Sequence, residues 1–112
     1  MAKIGADAPA VFSFGSFLLD ANRRALLRGG RVVHLTPRSF DVLEYLVQQD
    51  GRLVTHEDLE KYVWYGASVT DANIAKHVQL VRQAIGDTAK PYVYLRTVPS
   101  RGFRFVSARR EK

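Results

Sequence analysis

Asn73, Lys76, Gln79 and Leu80 lie within the stretch TDANIAKHVQLVRQAIGD, Thr70 to Asp87, with His77 and Arg82 close by. Two carboxamides bring donor and acceptor in one plane, an ammonium brings three donors, and a leucine brings an apolar contact of methyl size. Such a set suits docking on a flat, hydrogen-bonding, negatively charged surface better than it suits bond cleavage. Between Asp71 and Asp87 no carboxylate interrupts the stretch, so nothing in that interval repels an anion. At helical spacing Ile74, Val78, Val81 and Ile85 form an i, i+4, i+7, i+11 stripe that must face a core. The polar residues are then the outer face of the same helix.

Catalysis finds no footing in the residue types. His34, His56 and His77 show no metal-ligand spacing, there is no glycine-rich phosphate loop, and from Asp71 onward the only carboxylates are Asp71, Asp87 and Glu111. A metal-dependent nuclease needs clustered acids. The expectation is therefore no catalytic residue, no metal and no cofactor. The chain has no cysteine, which removes a disulfide framework and a thiolate metal site.

The charge is unevenly placed. Met1 to Thr70 carries eight Lys/Arg and eight Asp/Glu, whereas Asp71 to Lys112 carries nine Lys/Arg and three Asp/Glu, so the net +6 is all C-terminal. A one-sided basic field favours a polyanionic partner, although a merely solvated basic surface has the same composition. With 112 residues, 46% hydrophobic and 25% charged, one ordinary globular domain is expected. No apolar run approaches the roughly 20 residues that span a bilayer, and MAKIGADAPAVF lacks the pattern of a secretory signal, so a cytoplasmic location is expected.

The elements that must position the outer face follow from turn and cap signals. Residues 1–11 read as a flexible N-terminus. Over 12–35, VFSFGSFLLD, RALLR and RVVHL are short β-favouring runs separated by DANR and GG, an antiparallel meander. A first helix spans 36–50, with Thr36 as cap, Pro37 at its first position, Gly51 just past its end, and Phe40, Leu43, Leu46 and Val47 facing inward. After a short RLVT strand, a second helix spans 55–64, capped by Thr55 with Asp58 and burying Leu59 and Val63. Tyr65, Gly66, Ala67 and Ser68 form a turn, and the third helix spans 70–86. Residues 92–107 make a hairpin around PSRG that carries Arg96, Arg101 and Arg104, and 108–112 read as a frayed charged tail. The fold class is α+β: a winged helix-turn-helix with an N-terminal antiparallel β-meander, three helices and a C-terminal β-hairpin wing.

Five segments in this order, LTPRSFDVLEYLV, GRLVTHEDLEKYVW, VTDANIAKHVQLVRQAIGD, YLRTV and RGFRF, resemble the effector domain of OmpR/PhoB-type bacterial transcription regulators, from about Phe12 to Val106. The TVPSRGF wing is closer to the one-component ToxR/CadC branch than to response regulators, whose wing more often reads like TVRGxGY. The resemblance implies that the third helix lies in the DNA major groove and the wing in the neighbouring minor groove. It places Asn73, Lys76, Gln79 and Leu80 toward bases, and His77, Arg82 and Trp64 toward phosphates. Thr97 and Arg101 fall on the wing, and the turn Tyr65 to Ser68 matches a segment that touches RNA polymerase. Ala72, Leu80 and Pro99 depart from the basic residues common in relatives, so a relative's target sequence does not transfer.

The chemistry fits. Lys76 can donate to guanine or to phosphate, Gln79 or Asn73 can pair with adenine or remain solvated, and Leu80 can meet a thymine methyl or pack beneath the preceding turn. Arg101 can enter a narrow minor groove. Arg96 and Arg104 suit phosphates or free surface, and His77 suits phosphate or a packed site. The function expected is sequence-specific binding of double-stranded DNA by a monomer or weak dimer able to pair in tandem. The rival is a winged helix that docks on an acidic protein or RNA polymerase. RNA is disfavoured because its duplex major groove is too deep and narrow for a helix.

Overall fold

Strand β1 (Val11–Phe14) turns Phe12 and Phe14 inward, and β2 (Phe17–Asp20) does the same with Phe17 and Leu19. In this computed structural model, which describes residues 11–111, the two strands pair antiparallel with Phe12 opposite Leu19 and Phe14 opposite Phe17. Side chains alternate along a strand, so this register places all four on one buried face. Strands β3 (Ala25–Arg28) and β4 (Arg31–Val33) extend the meander, with Leu26 buried opposite Leu19. The Asp20 carboxylate closes the β2–β3 turn by accepting from the Asn22 and Arg23 amides.

Helix α1 (Pro37–Gln48) starts as its cap predicts, with Thr36 Oγ1 accepting from the Ser39 amide at 3.3 Å. It buries Phe40, Leu43, Leu46 and Val47, and also Val42. Helix α2 (His56–Tyr62) has a reciprocal capping box between Thr55 and Asp58. It ends before Trp64, short of the expected 64, because Tyr65 and Gly66 take positive φ and the Gly66 amide turns back to the Glu60 carbonyl at 2.8 Å. Helix α3 (Asp71–Ala84) is capped by Thr70, and its stripe of Ile74, Val78, Val81 and Ile85 is buried. It closes in a Schellman motif: the Asp87 amide reaches the Arg82 carbonyl, the Gly86 amide reaches that of Gln83, and Gly86 has φ +72°.

The wing consists of β5 (Leu95–Val98) and β6 (Gly102–Phe105). The expected RLVT strand reduces to a bridge in which Val54 and Phe103 exchange both backbone bonds, at 2.8 and 2.9 Å. Gly102 makes that approach feasible. At φ +150° a Cβ here would stand 2.0 Å from the Val54 carbonyl oxygen. Phe105 packs edge-on to Phe14, ring centroids 4.9 Å apart, so wing and meander share one core.

The tail corrects an expectation. Arg109–Arg110 is not frayed but forms β7, pairing with Phe12 and Ser13 and completing the sheet order β4-β3-β2-β1-β7. The Glu111 amide reaches the Val11 carbonyl at 2.8 Å, Ser13 Oγ donates to the Glu111 carboxylate, and the Arg110 guanidinium lies over the Phe12 ring. Edge pairing uses the backbone groups of 109 and 110, which their exposed side chains leave free. The N-terminal reading of 1–11 falls outside the described residues except at Val11, which begins β1.

Candidate nucleic-acid interface

Opposite its buried stripe, α3 presents Ala72, Asn73, Lys76, Gln79 and Gln83, all exposed. One flank of the helix meets the wing and the other meets α1 and the end of α2. The expected face residues divide between these surroundings.

On the wing flank lies Arg82, and it is not available to a phosphate. Its side chain is buried, with Nε and Nη2 donating to the Leu95 carbonyl at 3.1 and 2.7 Å and Nη2 also to Thr97 Oγ1 at 2.9 Å. The guanidinium carbon lies 3.6 Å from the Tyr92 ring centroid. Burial lowers the Arg82 pKa from its ordinary value, opposed by Tyr92 and Asp87. The expectation of a phosphate contact is corrected to that of a brace joining α3 to β5. Arg82 sits about 180° from Asn73 around a helix of 3.6 residues per turn, so it points at whatever packs on the wing side.

Asp87 completes the brace and was missed as a site residue. Its Oδ1 accepts from the Val93 amide at 2.7 Å, and Oδ2 accepts from those of Tyr94 and Leu95 at 2.9 and 2.8 Å. Burial pushes this carboxyl's pKa up, yet the three amides and Arg82 hold it below the ordinary value. The amides of 93–95 are therefore gathered on one carboxylate, and the strand begins at Leu95 rather than at the expected 92. Its signal in the sequence is a lone acid just after a helix-ending glycine, in an otherwise basic half.

Beyond the brace, the wing is free on its outer side. Arg96 and Arg104 are exposed and directly opposite in the β5–β6 register. Thr97 is exposed although its oxygen accepts from Arg82. Arg101 is exposed at the end of a turn closed by its own amide to the Val98 carbonyl at 3.0 Å, with Ser100 at φ +63°. Among the described residues, ion pairs engage only Arg23, Arg24 and His56, leaving all three wing arginines uncompensated. Like charges directly opposite on a sheet are destabilising. An anion lying across them removes that cost.

The other flank carries Leu80 and His77, both half-buried. Leu80, Gln83 and Ala84 form one wall of a shallow depression whose other wall is His34, Leu35 and Thr36. Of the two readings of Leu80, this position supports packing at the rim of the outer face. His77 Nδ1 donates to the Asn73 carbonyl at 2.8 Å, which assigns its proton to that nitrogen. The His77 ring stands edge-on to Trp64, centroids 5.4 Å apart at 84°. Trp64 is half-buried at the α2 terminus.

The turn Tyr65 to Ser68 is exposed throughout, with Tyr65 77% accessible. A carboxylate cluster that sequence reading missed pins it. Glu60 Oε2 accepts from the Val69 amide at 3.0 Å and meets His56 Nε2 at 3.1 Å, while His56 Nδ1 meets Asp71 at 2.5 Å. The i, i+4 spacing of His56 and Glu60 was its visible trace.

Three helices, a meander, and a β-hairpin packed beside the last helix define the winged helix-turn-helix class. Residues 30–105 match the family model described as "Transcriptional regulatory protein, C terminal", and the chain belongs to that family, the OmpR/PhoB-type DNA-binding effector domains of transcription regulators. It is 34% identical over 97 residues to the transcriptional regulatory protein CutR of Streptomyces coelicolor, covering 86% of this chain and 43% of that protein. To the transcriptional activator CadC of Escherichia coli it is 28% identical over 97 residues, covering 86% of this chain and 19% of that protein. The chain thus spans less than half of these relatives. Among solved structures it is similar to the DNA-binding domain of Klebsiella pneumoniae RstA in complex with the RstA box, with TM-score 0.77, 26% identity, and 87% and 97% of the two chains covered. The DNA-binding domain of E. coli CadC superimposes with TM-score 0.76 at 27% identity, covering 91% of this chain and 97% of that one.

Proposed function

We propose that the chain recognises a specific sequence in double-stranded DNA, with α3 in the major groove and the wing hairpin at the adjacent minor groove. The observation that carries this reading is the exposed row of Asn73, Lys76, Gln79 and Gln83, free of carboxylates, standing beside a wing whose arginines have no counter-ion among the described residues. Lys76 and Gln79, nearest the centre of that row, read base edges, and Asn73 reads at its start. Leu80 lies at the rim, where it meets a thymine methyl only if the groove wall approaches the His34–Thr36 segment. Arg96, Arg104 and Trp64 supply phosphate contacts, which set affinity more than sequence, whereas His77, its Nδ1 proton given to the Asn73 carbonyl, braces Trp64. Arg101 responds to minor-groove width, and Thr97 offers its hydroxyl proton beside it.

The similarity of the fold to a DNA-binding domain solved on its DNA box supports this reading. The pinned, exposed turn Tyr65 to Ser68 is a stiff surface suited to touching RNA polymerase bound alongside. Two copies placed head to tail on adjacent half-sites would act in the cytoplasm, on the nucleoid. Selection of bound duplexes from a random pool tests the proposal and reports half-site number and spacing together. Enrichment of no motif would refute sequence-specific recognition.

A further inference from the structure

A helix seated in a major groove has a phosphate backbone along each of its sides. On the wing side the charge is evident in Arg96, Arg101 and Arg104. On the other side, α3 carries His77 beside Trp64, and neither side chain is a permanent cation.

Arg38, in the first turn of α1, stands there. Its guanidinium carbon is 5.1 Å from the Trp64 ring centroid, and Nη1 donates to the Val63 carbonyl at 2.5 Å. Trp64 also meets the His77 ring edge-on, centroids 5.4 Å apart. Three helices thus bring a guanidinium, an indole and an imidazole to one point. Arg38 forms no ion pair among the described residues, and the acid nearest in sequence, Asp41, is held by Arg24 at 2.8 Å. The indole N–H has no acceptor among the described residues either. A guanidinium fixed by an aromatic face and one carbonyl is oriented without being neutralised, and it retains free N–H groups in the planar fork that matches phosphate oxygens.

We propose that Arg38 and the Trp64 indole N–H form a phosphate clamp that grips the DNA strand on the side of α3 away from the wing, with the His77 ring bracing the indole. This assignment rests on the DNA-binding reading and adds to it the charged member of that flank. The clamp contributes affinity and register but no base preference, because phosphates carry no sequence information.

The test is the salt dependence of binding to a duplex selected with the unmodified chain. Arg38→Gln should lower the steepness of log K against log salt by about 0.9, the share of one phosphate, and leave base preference unchanged. Arg38→Lys keeps the charge and should keep the slope while binding more weakly. An unchanged slope in Arg38→Gln would overturn the clamp, reducing Arg38 to a clip on the α2 terminus. An equal loss of slope in Arg38→Lys would overturn it too, since the loss would then not follow charge. If the unmodified chain binds no duplex, the DNA reading itself fails, whereas normal binding with an insensitive Arg38→Gln sinks only the clamp.

Discussion

The Arg82 guanidinium donates to Thr97 Oγ1 at 2.9 Å, and the same nitrogen reaches the Leu95 carbonyl at 2.7 Å. One side chain of the recognition helix therefore sets where the wing begins. Arg82→Met should strand the buried Leu95 carbonyl and destabilise the fold by about 1–3 kcal/mol, read by urea unfolding. Its salt slope on DNA should match the unmodified chain, because no phosphate contact has been removed. Normal stability with a slope lower by about 0.9 would restore the phosphate role to Arg82.

Lys76→Ala and Gln79→Ala should each alter base preference at one position by about 1–3 kcal/mol. Arg104→Ala should instead weaken all duplexes alike. In the free protein the same substitution removes the like-charge pair with Arg96, so a small gain in stability, about 0.2–1 kcal/mol, is expected. Competition binding against single-base variants and thermal unfolding separate the two effects. Base preference untouched by both helix substitutions would rule out direct readout by this face.

Asp87 links the wing to pH. Its pKa is held below that of the unfolded chain, so its contribution to stability is present above the unfolded value of about 3.9 and is lost as pH falls through the folded one. Asp87→Asn should be less stable at neutral pH, and the difference from the unmodified chain should shrink in acid below about pH 4. A difference constant from pH 7 to pH 3 would contradict this account.

His56 acts in the opposite sense. Its pKa is raised, chiefly by the hydrogen bond to Glu60; burial works against this, and Asp71 adds to the rise. The stability it confers is complete below the unfolded value of about 6.5 and disappears as pH rises through the folded value. Glu60 is lowered, first by the Val69 amide and then by His56, so its share is present above about pH 4.3. The turn before α3 should be tightest between those limits. Hydrogen exchange at the Val69 amide should slow in that window, and His56→Gln should abolish the alkaline loss of protection. Exchange that rises in the mutant with the same pH profile as in the unmodified chain would exclude His56 as the source.

Much of this protein was legible in the linear order of its residues. The stripe of Ile74, Val78, Val81 and Ile85, the caps Thr36, Thr55 and Thr70, and the stop at Gly86 are local signals. They act over one or two turns of chain, and local periodicity and capping chemistry specify them. The acid-free outer face and the C-terminal concentration of charge are also properties of the sequence itself, and they pointed to a polyanion before any packing was known. What the sequence could not decide was which polar groups turn inward. Arg82 became a brace because β5 brings a buried carbonyl to it, and Asp87 became a cap because three amides of 93–95 converge on one carboxylate. Arg109–Arg110 became a strand because β1 had an open edge, and Arg38 joined Trp64 and His77 because three helices meet there. Each of these outcomes depends on segments distant in the chain being brought to hydrogen-bonding or stacking distance, and only the tertiary structure supplies that distance.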